Sequence, residues 1–233
     1  MLLASVTTIT EDRRSMVWKI VGTFVGVVVA ATLIVFYVAN WLLSGPPIYR
    51  PVSSSSGAHL TIQTVAAVGP KLSPNPDWVS YLIQKPSGSW ERSTIWDVPA
   101  HSTVHVTIYQ FDGDSGLRNP FLARPEGLVG TPTLDGKPFT QIDPDDASHT
   151  FAIPQLGVLV PLAGVPDNAK NQCGYAPCDP ATMAHRTITF TFRTGKKGKF
   201  RWQCFVPCAA GFQFGFGGPM QTIGYMDGFI NVV

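Results

Sequence analysis

The stretch KFRWQCFVPC (residues 199–208), read with YMDGFINVV (residues 225–233), decides the fold. Residues 199–203 alternate polar and aromatic side chains, the pattern of a strand with one buried face, and deliver the chain to Cys204 and then Cys208. After a loop, Met226-x-Gly228 opens a run of strand formers that predicts a last strand over about residues 226–233.

The same period of two recurs upstream. Leu60 and Ile62 alternate with Thr61 and Gln63, Val104, Val106 and Ile108 with His105, Thr107 and Tyr109, and Ile188, Phe190 and Phe192 with Thr187, Thr189 and Thr191. Turn signals at 112–114, 134–136 and 194–195 separate them. A short helix is expected near residues 179–184, and no internal repeat is present. The chain has 233 residues, and beyond residue 44 it carries 20 Gly and 20 Pro, which excludes a helical bundle. Charged residues make up 14% and the formal charge is +2, which excludes disorder and a basic nucleic-acid-binding domain. Two packed antiparallel sheets over residues 58–233 are the economical architecture.

Residues 20–43 contain no charge, long enough to span a bilayer as a helix. Arg13, Arg14 and Lys19 precede this run, whereas the first charge after it is Arg50. The positive-inside rule makes residues 1–19 cytoplasmic and the rest extracytoplasmic, with Tyr37 and Trp41 near the outer interface. The competing reading, a cleaved signal peptide, calls for an apolar region of roughly 7–15 residues and a small-residue cleavage site. Residues 44–57, rich in Ser, Gly and Pro, read as a linker.

A cysteine leaving a strand, a loop, and Met-x-Gly opening a final strand resemble the copper loop of the cupredoxins. SHTFAIPQLGV (residues 148–158) is similar to the stretch of cytochrome c oxidase subunit II that carries its first copper-ligating histidine. DVPAHSTV (residues 97–104) resembles the earlier turn and strand of that domain, and Gln203-Cys204-x3-Cys208 matches the family's Gln-Cys-x3-Cys. The resemblance covers roughly residues 90–111, 146–160 and 186–233, in the family's order, behind a single anchor. It implies an all-β, cupredoxin-like antiparallel sandwich of Greek-key connectivity with one N-terminal transmembrane helix. It also implies copper as cofactor, integral membrane subunits of an oxidase or related complex as partners alongside membrane lipid, and a redox protein as electron donor.

The departures bear on the metal. The family's dinuclear centre uses two bridging thiolates, two imidazoles, a Met and a backbone carbonyl. The position of its second imidazole is Phe212 here, that of its Met is Gly215, and no His follows His185. Measured back from Met226, the missing His falls at Ile223. The remaining ligand set is His149, Cys204, Cys208 and Met226. One imidazole with thiolates and a thioether suits a single copper ion, and the competing reading leaves Cys204 and Cys208 metal-free, as a disulfide or as buried thiols. His59, His101, His105 and His185 lack ligand spacing and read as structural or surface residues.

Cys173 and Cys178 lie in an insertion between two predicted strands, and on the outer side of a membrane they are expected to form a disulfide. A four-cysteine metal site with Cys204 and Cys208 is the alternative, with looser spacing than zinc sites prefer. Residues 212–220, aromatic and Gly-rich, read either as a further strand or as an apolar docking patch. Trp202 reads as core, or as part of an electron path if metal is bound.

Two functions follow: a membrane-anchored electron-transfer subunit resembling oxidase subunit II, or a copper-free structural subunit of a membrane enzyme complex, which the missing His and enlarged loop favour. A thioredoxin-like chaperone would place its Cys-x3-Cys at the start of a helix, whereas the residues after Cys208 read as strand. No Ser-His-Asp set, phosphate loop or spaced carboxylate pair points to independent catalysis.

Overall fold

Two sheets take up the period-two segments. In spatial order, one consists of β1 (Ile48–Tyr49), β6 (Ile95–Val98), β14 (Asp227–Val232), β13 (Gly198–Gln203), β10 (Ala147–Ile153) and β11 (Val158–Ala163). The other consists of β5 (Trp90–Glu91), β4 (Ser80–Gln84), β3 (Gly57–Val65), β7 (Thr103–Gln110), β12 (Arg186–Arg193), β8 (Thr133–Leu134) and β9 (Lys137–Pro138), with β2 (Ser53–Ser54) paired to β3. The computed structural model describes residues 3–42, 47–51, 53–54, 57–208 and 218–233. Its two compact units are Met1–Gly45 and Pro46–Val233.

The N-terminal unit is a helix, α1 (Leu3–Tyr37), continued by a π-helical turn at Val38–Leu42. Within it Met16–Asn40 is long and apolar enough to cross a membrane. Thr23, Thr32 and Asn40 each donate to the carbonyl four residues back, as a hydrocarbon surrounding would require. The helix also extends back through the charged residues 11–14, which sequence reading assigned to the cytoplasmic tail.

In the β unit the alternation is realised residue by residue. Along β7 every second side chain is buried, and β12 runs antiparallel to it from Arg186 opposite Gln110 to Arg193 opposite Thr103. The antiparallel expectation needs correction, because both sheets are mixed. β3 lies parallel to β7, and β14 and β1 both lie parallel to β6. Period-two alternation reports which face is buried and is blind to strand direction, so it carries no trace of these pairings. The stretch read as linker also contributes structure: β1 pairs with β6, and Arg50 reaches Asp97 at 2.9 Å. Of that stretch, residues 44–46, 52 and 55–56 lie outside the described residues, as does residue 43.

The helix expected near residues 179–184 is a single turn. Met183 N–H bonds to the Asp179 carbonyl at 2.9 Å, while the Asp179 carboxylate takes the Ala181 N–H and the Thr182 hydroxyl. Such local side-chain bonds compete with helix propagation.

The core between the sheets is an aromatic stack. Trp96 lies 4.7 Å from Trp202, and Phe151 lies 5.4 Å from Trp202. The indole N–H groups of Trp96 and Trp202 are satisfied by the Ser93 and Thr94 carbonyls, and the buried Tyr81 hydroxyl donates to the Thr150 carbonyl at 2.8 Å. At the edge, β11 carries Pro161, which an edge strand tolerates, and the segment after β7 covers it by burying Ala123 and Ile142 with Ala147 and Ala163.

Gly228 explains how the last strand sits. A Cβ at this position would collide with the Thr94 carbonyl, so only Gly lets β14 lie this close to the chain entering β6. Gly228→Ala is therefore expected to destabilise the full-length protein in detergent by about 3 kcal/mol or more in urea unfolding. Gly195→Ala, at a position with open space around it, should stay within about 0.5 kcal/mol. Equal stabilities for the two variants would contradict this packing.

Candidate metal centre

The site forms where β13 runs out. β10 and β13 share one backbone pairing, Ala152 with Gln203. Two residues along, Thr150 faces Phe205, and side chains replace the expected ladder: Phe205 N–H donates to Thr150 Oγ1 at 2.7 Å, and Thr150 N–H donates to Cys204 Sγ at 3.3 Å. On its other side Cys204 N–H bonds to the Met226 carbonyl at 3.0 Å, continuing the β13–β14 register by one residue. Cys204 is thus gripped from both neighbouring strands.

His149 comes from the start of β10, beside a register shift between Ala147 and His149 that leaves Ser148 unopposed. Bulges of this kind re-aim side chains near functional sites. The imidazole is 3% exposed and the two thiols are buried and reduced. His149 Nδ1 lies 2.8 Å from Cys208 Sγ and 3.9 Å from Cys204 Sγ, and the sulfurs are 3.5 Å apart. On the opposite side of the ring, His149 Nε2 meets Asp112 Oδ2 at 3.0 Å.

The groups polarise one another. Burial opposes a charge on His149, but hydrogen bonds to Asp112 and then Cys204 prevail and raise its pKa to about 9. Burial also raises the Asp112 carboxyl, yet the bond to His149 more than offsets this and holds it below the usual carboxylate value. Cys204 is similarly opposed by burial, and hydrogen bonds from Cys208 and His149 bring it well below an ordinary thiol. Cys208 moves up, because it shares a hydrogen bond with Cys204 and is buried. The shared interaction therefore favours ionisation at Cys204 over Cys208, whose sulfur lies 3.1 Å from the Val206 carbonyl.

The donor set fits a metal ion. Tetrahedral ligation at about 2.0 Å from nitrogen and about 2.3 Å from sulfur puts donors about 3.5–3.8 Å apart. Two of the three observed separations fall close to this range, and the Nδ1 to Cys208 gap is shorter. The nitrogen facing the sulfurs is the one a metal would use, and the other is held by a carboxylate, the usual outer partner of a ligating histidine.

The structure therefore brings His149, Cys204 and Cys208 together from segments 55 residues apart. Met226 adjoins Cys204 through the backbone and is fully buried in the same cluster. Within the cluster there is a single imidazole. Phe212 and Gly215, and with them residues 209–217 of the aromatic loop, lie outside the described residues. Cys173 and Cys178 form a disulfide, which excludes the four-cysteine site. His59 and His105 stack at 4.8 Å on the outer face of their sheet, and His185 bonds to the Met183 carbonyl. His101 sits in a turn with positive φ. Sequence reading missed Asp112, seen only as a turn residue, and Thr150. The one available hint was that Asp112 follows two residues after the strand 103–110 ends.

No protein-family model matches the chain, and no curated protein does. Among solved structures, a copper protein rusticyanin aligns at 17% identity and a TM-score of 0.32, covering 80% of this chain and 81% of that one. Rusticyanin from Thiobacillus ferrooxidans aligns at 18% identity and a TM-score of 0.29, covering 80% of each chain. A methionine-to-glutamine mutant of rusticyanin gives 18% and 0.29, covering 80% of this chain and 81% of that one.

Thiol titration checks the cysteine assignment. The unfolded, unreduced protein should show two reactive thiols per chain, and four after reduction. None before reduction would mean that Cys204 and Cys208 are paired.

Proposed function

We propose that the protein is a membrane-anchored, cupredoxin-like electron-transfer subunit that holds one copper ion in its β domain. The observation that carries this reading is the convergence of His149 Nδ1 with two reduced, buried sulfurs, while Asp112 holds the far side of the ring. Soft thiolates with an imidazole suit copper, which would supply one-electron cycling between Cu(I) and Cu(II).

The chain's own groups have distinct tasks. Cys204 and Cys208 provide sulfur, and His149 provides Nδ1. Asp112 fixes the ring and its tautomer. The Thr150 N–H bond to Cys204 withdraws electron density from the sulfur, one of the levers that set the potential of such centres. Met226 stands opposite Cys204 in the register, and directly opposed residues share a face, so its thioether would be the fourth donor.

α1 anchors the chain with the β domain on the extracytoplasmic side, following the charge asymmetry of Arg13, Arg14 and Lys19. The partners are integral membrane subunits of an oxidase-type complex and a redox protein donor, a role like that of oxidase subunit II. A single centre replaces the family's dinuclear one, since the cluster holds one imidazole. One observation favours the copper-free structural reading: His149, Asp112 and the two thiols already satisfy one another.

Copper analysis of the reduced, full-length protein in detergent separates the two. One ion per chain is expected, with a visible thiolate absorption on oxidation. Cys204→Ser and His149→Ala should abolish it, and Met226→Leu should keep the ion but shift its potential. Asp112→Asn should weaken binding about 10–100-fold at unchanged stoichiometry. No retained copper would establish the structural reading, and two ions per chain would contradict the mononuclear one.

A further inference from the structure

A cleft of about 350 Å³ opens beside the centre, lined among others by Asp77, Asp112, Asp114, Ser148, His149 and Cys208. No Lys or Arg lines it. Its walls are graded. Asp77 and Asp114 are exposed at the mouth, Asp112 is half-buried, and Ser148, His149 and Cys208 are buried. Among the described residues neither Asp77 nor Asp114 forms an ion pair, so both carboxylates keep their field, and Asp77 accepts only the Tyr175 hydroxyl.

A second, independent feature marks the cleft as built for a polar visitor. Ser148 Oγ, on the bulge residue, is buried at 3% exposure without a hydrogen-bond partner among the described residues. A buried hydroxyl left unpaired costs free energy unless water or a ligand meets it. The cleft is too small for a protein segment of any length and wide enough for a hydrated ion.

Resting on the copper reading above, we infer that this cleft is the route by which a copper cation enters the centre. Asp77 and Asp114 gather it, and Ser148 replaces water on the way to Cys208 and His149. The order of donors suits a one-way transfer. Hard carboxylate oxygens attract a soft monovalent cation by charge without retaining it, whereas the sulfurs at the inner end retain it. Clefts lined by one sign of charge raise on-rates about 10–10³-fold, with a steep dependence on ionic strength.

The test is anaerobic stopped-flow uptake of Cu(I), supplied as its acetonitrile complex, by the reduced full-length protein in detergent, followed by ultraviolet thiolate-to-copper absorption. Asp77→Asn/Asp114→Asn should slow uptake about tenfold at low ionic strength, with the difference shrinking in salt and the final copper per chain unchanged. Glu91→Gln, which removes a charge outside the cleft, should match the unaltered protein. Equal rates in the double variant at full occupancy would overturn the route and leave the copper centre standing. Loss of final occupancy in the double variant would also overturn it, since the carboxylates would then be ligands. Absence of uptake by the unaltered protein would remove the copper centre and the route together.

Discussion

The site depends on one substitution in a sheet ladder. Where a backbone rung between β10 and β13 is due, the Thr150 N–H turns to the sulfur of Cys204 and the Phe205 N–H turns to the Thr150 hydroxyl. The two strands can then part without orphaning their amides, which buried backbone groups do not tolerate. Parting makes room for Cys208 to swing back toward His149. The Met226 carbonyl meanwhile holds Cys204 from the other strand, so the sulfur is placed by main chain on both sides.

Beneath this point the structure is stiff. Trp202, two residues before Cys204, packs against both Trp96 and Phe151, which also stack on each other, and Tyr81 ties the second sheet to the Thr150 carbonyl. The buried His149 and Cys204, with the half-buried Asp112 beside them, carry a desolvation cost that ordinary apolar residues would avoid. The proposed metal ligation would give that cost a purpose, since an imidazole and two thiols sit buried where a sandwich would otherwise place Leu or Val.

Much of this was legible in the residues. Alternation at 104–109 and 187–192 marked real strands, Met226-x-Gly228 marked the entry to the last one, and Cys204, Cys208 and His149 were picked out through the resemblance to oxidase subunit II. Strand direction was not legible, because parallel and antiparallel partners leave the same alternation, so the β3–β7 and β6–β14 pairings came only with the fold. Asp112 was hidden for a similar reason. It lies 37 residues before His149, in the bend after β7 of the other sheet, and no spacing rule connects the two. The role of Thr150 is a backbone donor's role, which no residue type announces. Ile48 and Tyr49 looked like linker because two residues are too few to show a period.

The central claim is that one copper ion is held by one imidazole and the two sulfurs of Cys204 and Cys208. X-ray absorption at the copper edge of the loaded, full-length protein reads this directly. Two thiolate sulfurs, one imidazole and the Met226 thioether are expected around a single copper, with no copper–copper scattering. A copper–copper vector, or a shell of nitrogen and oxygen without sulfur, would contradict it.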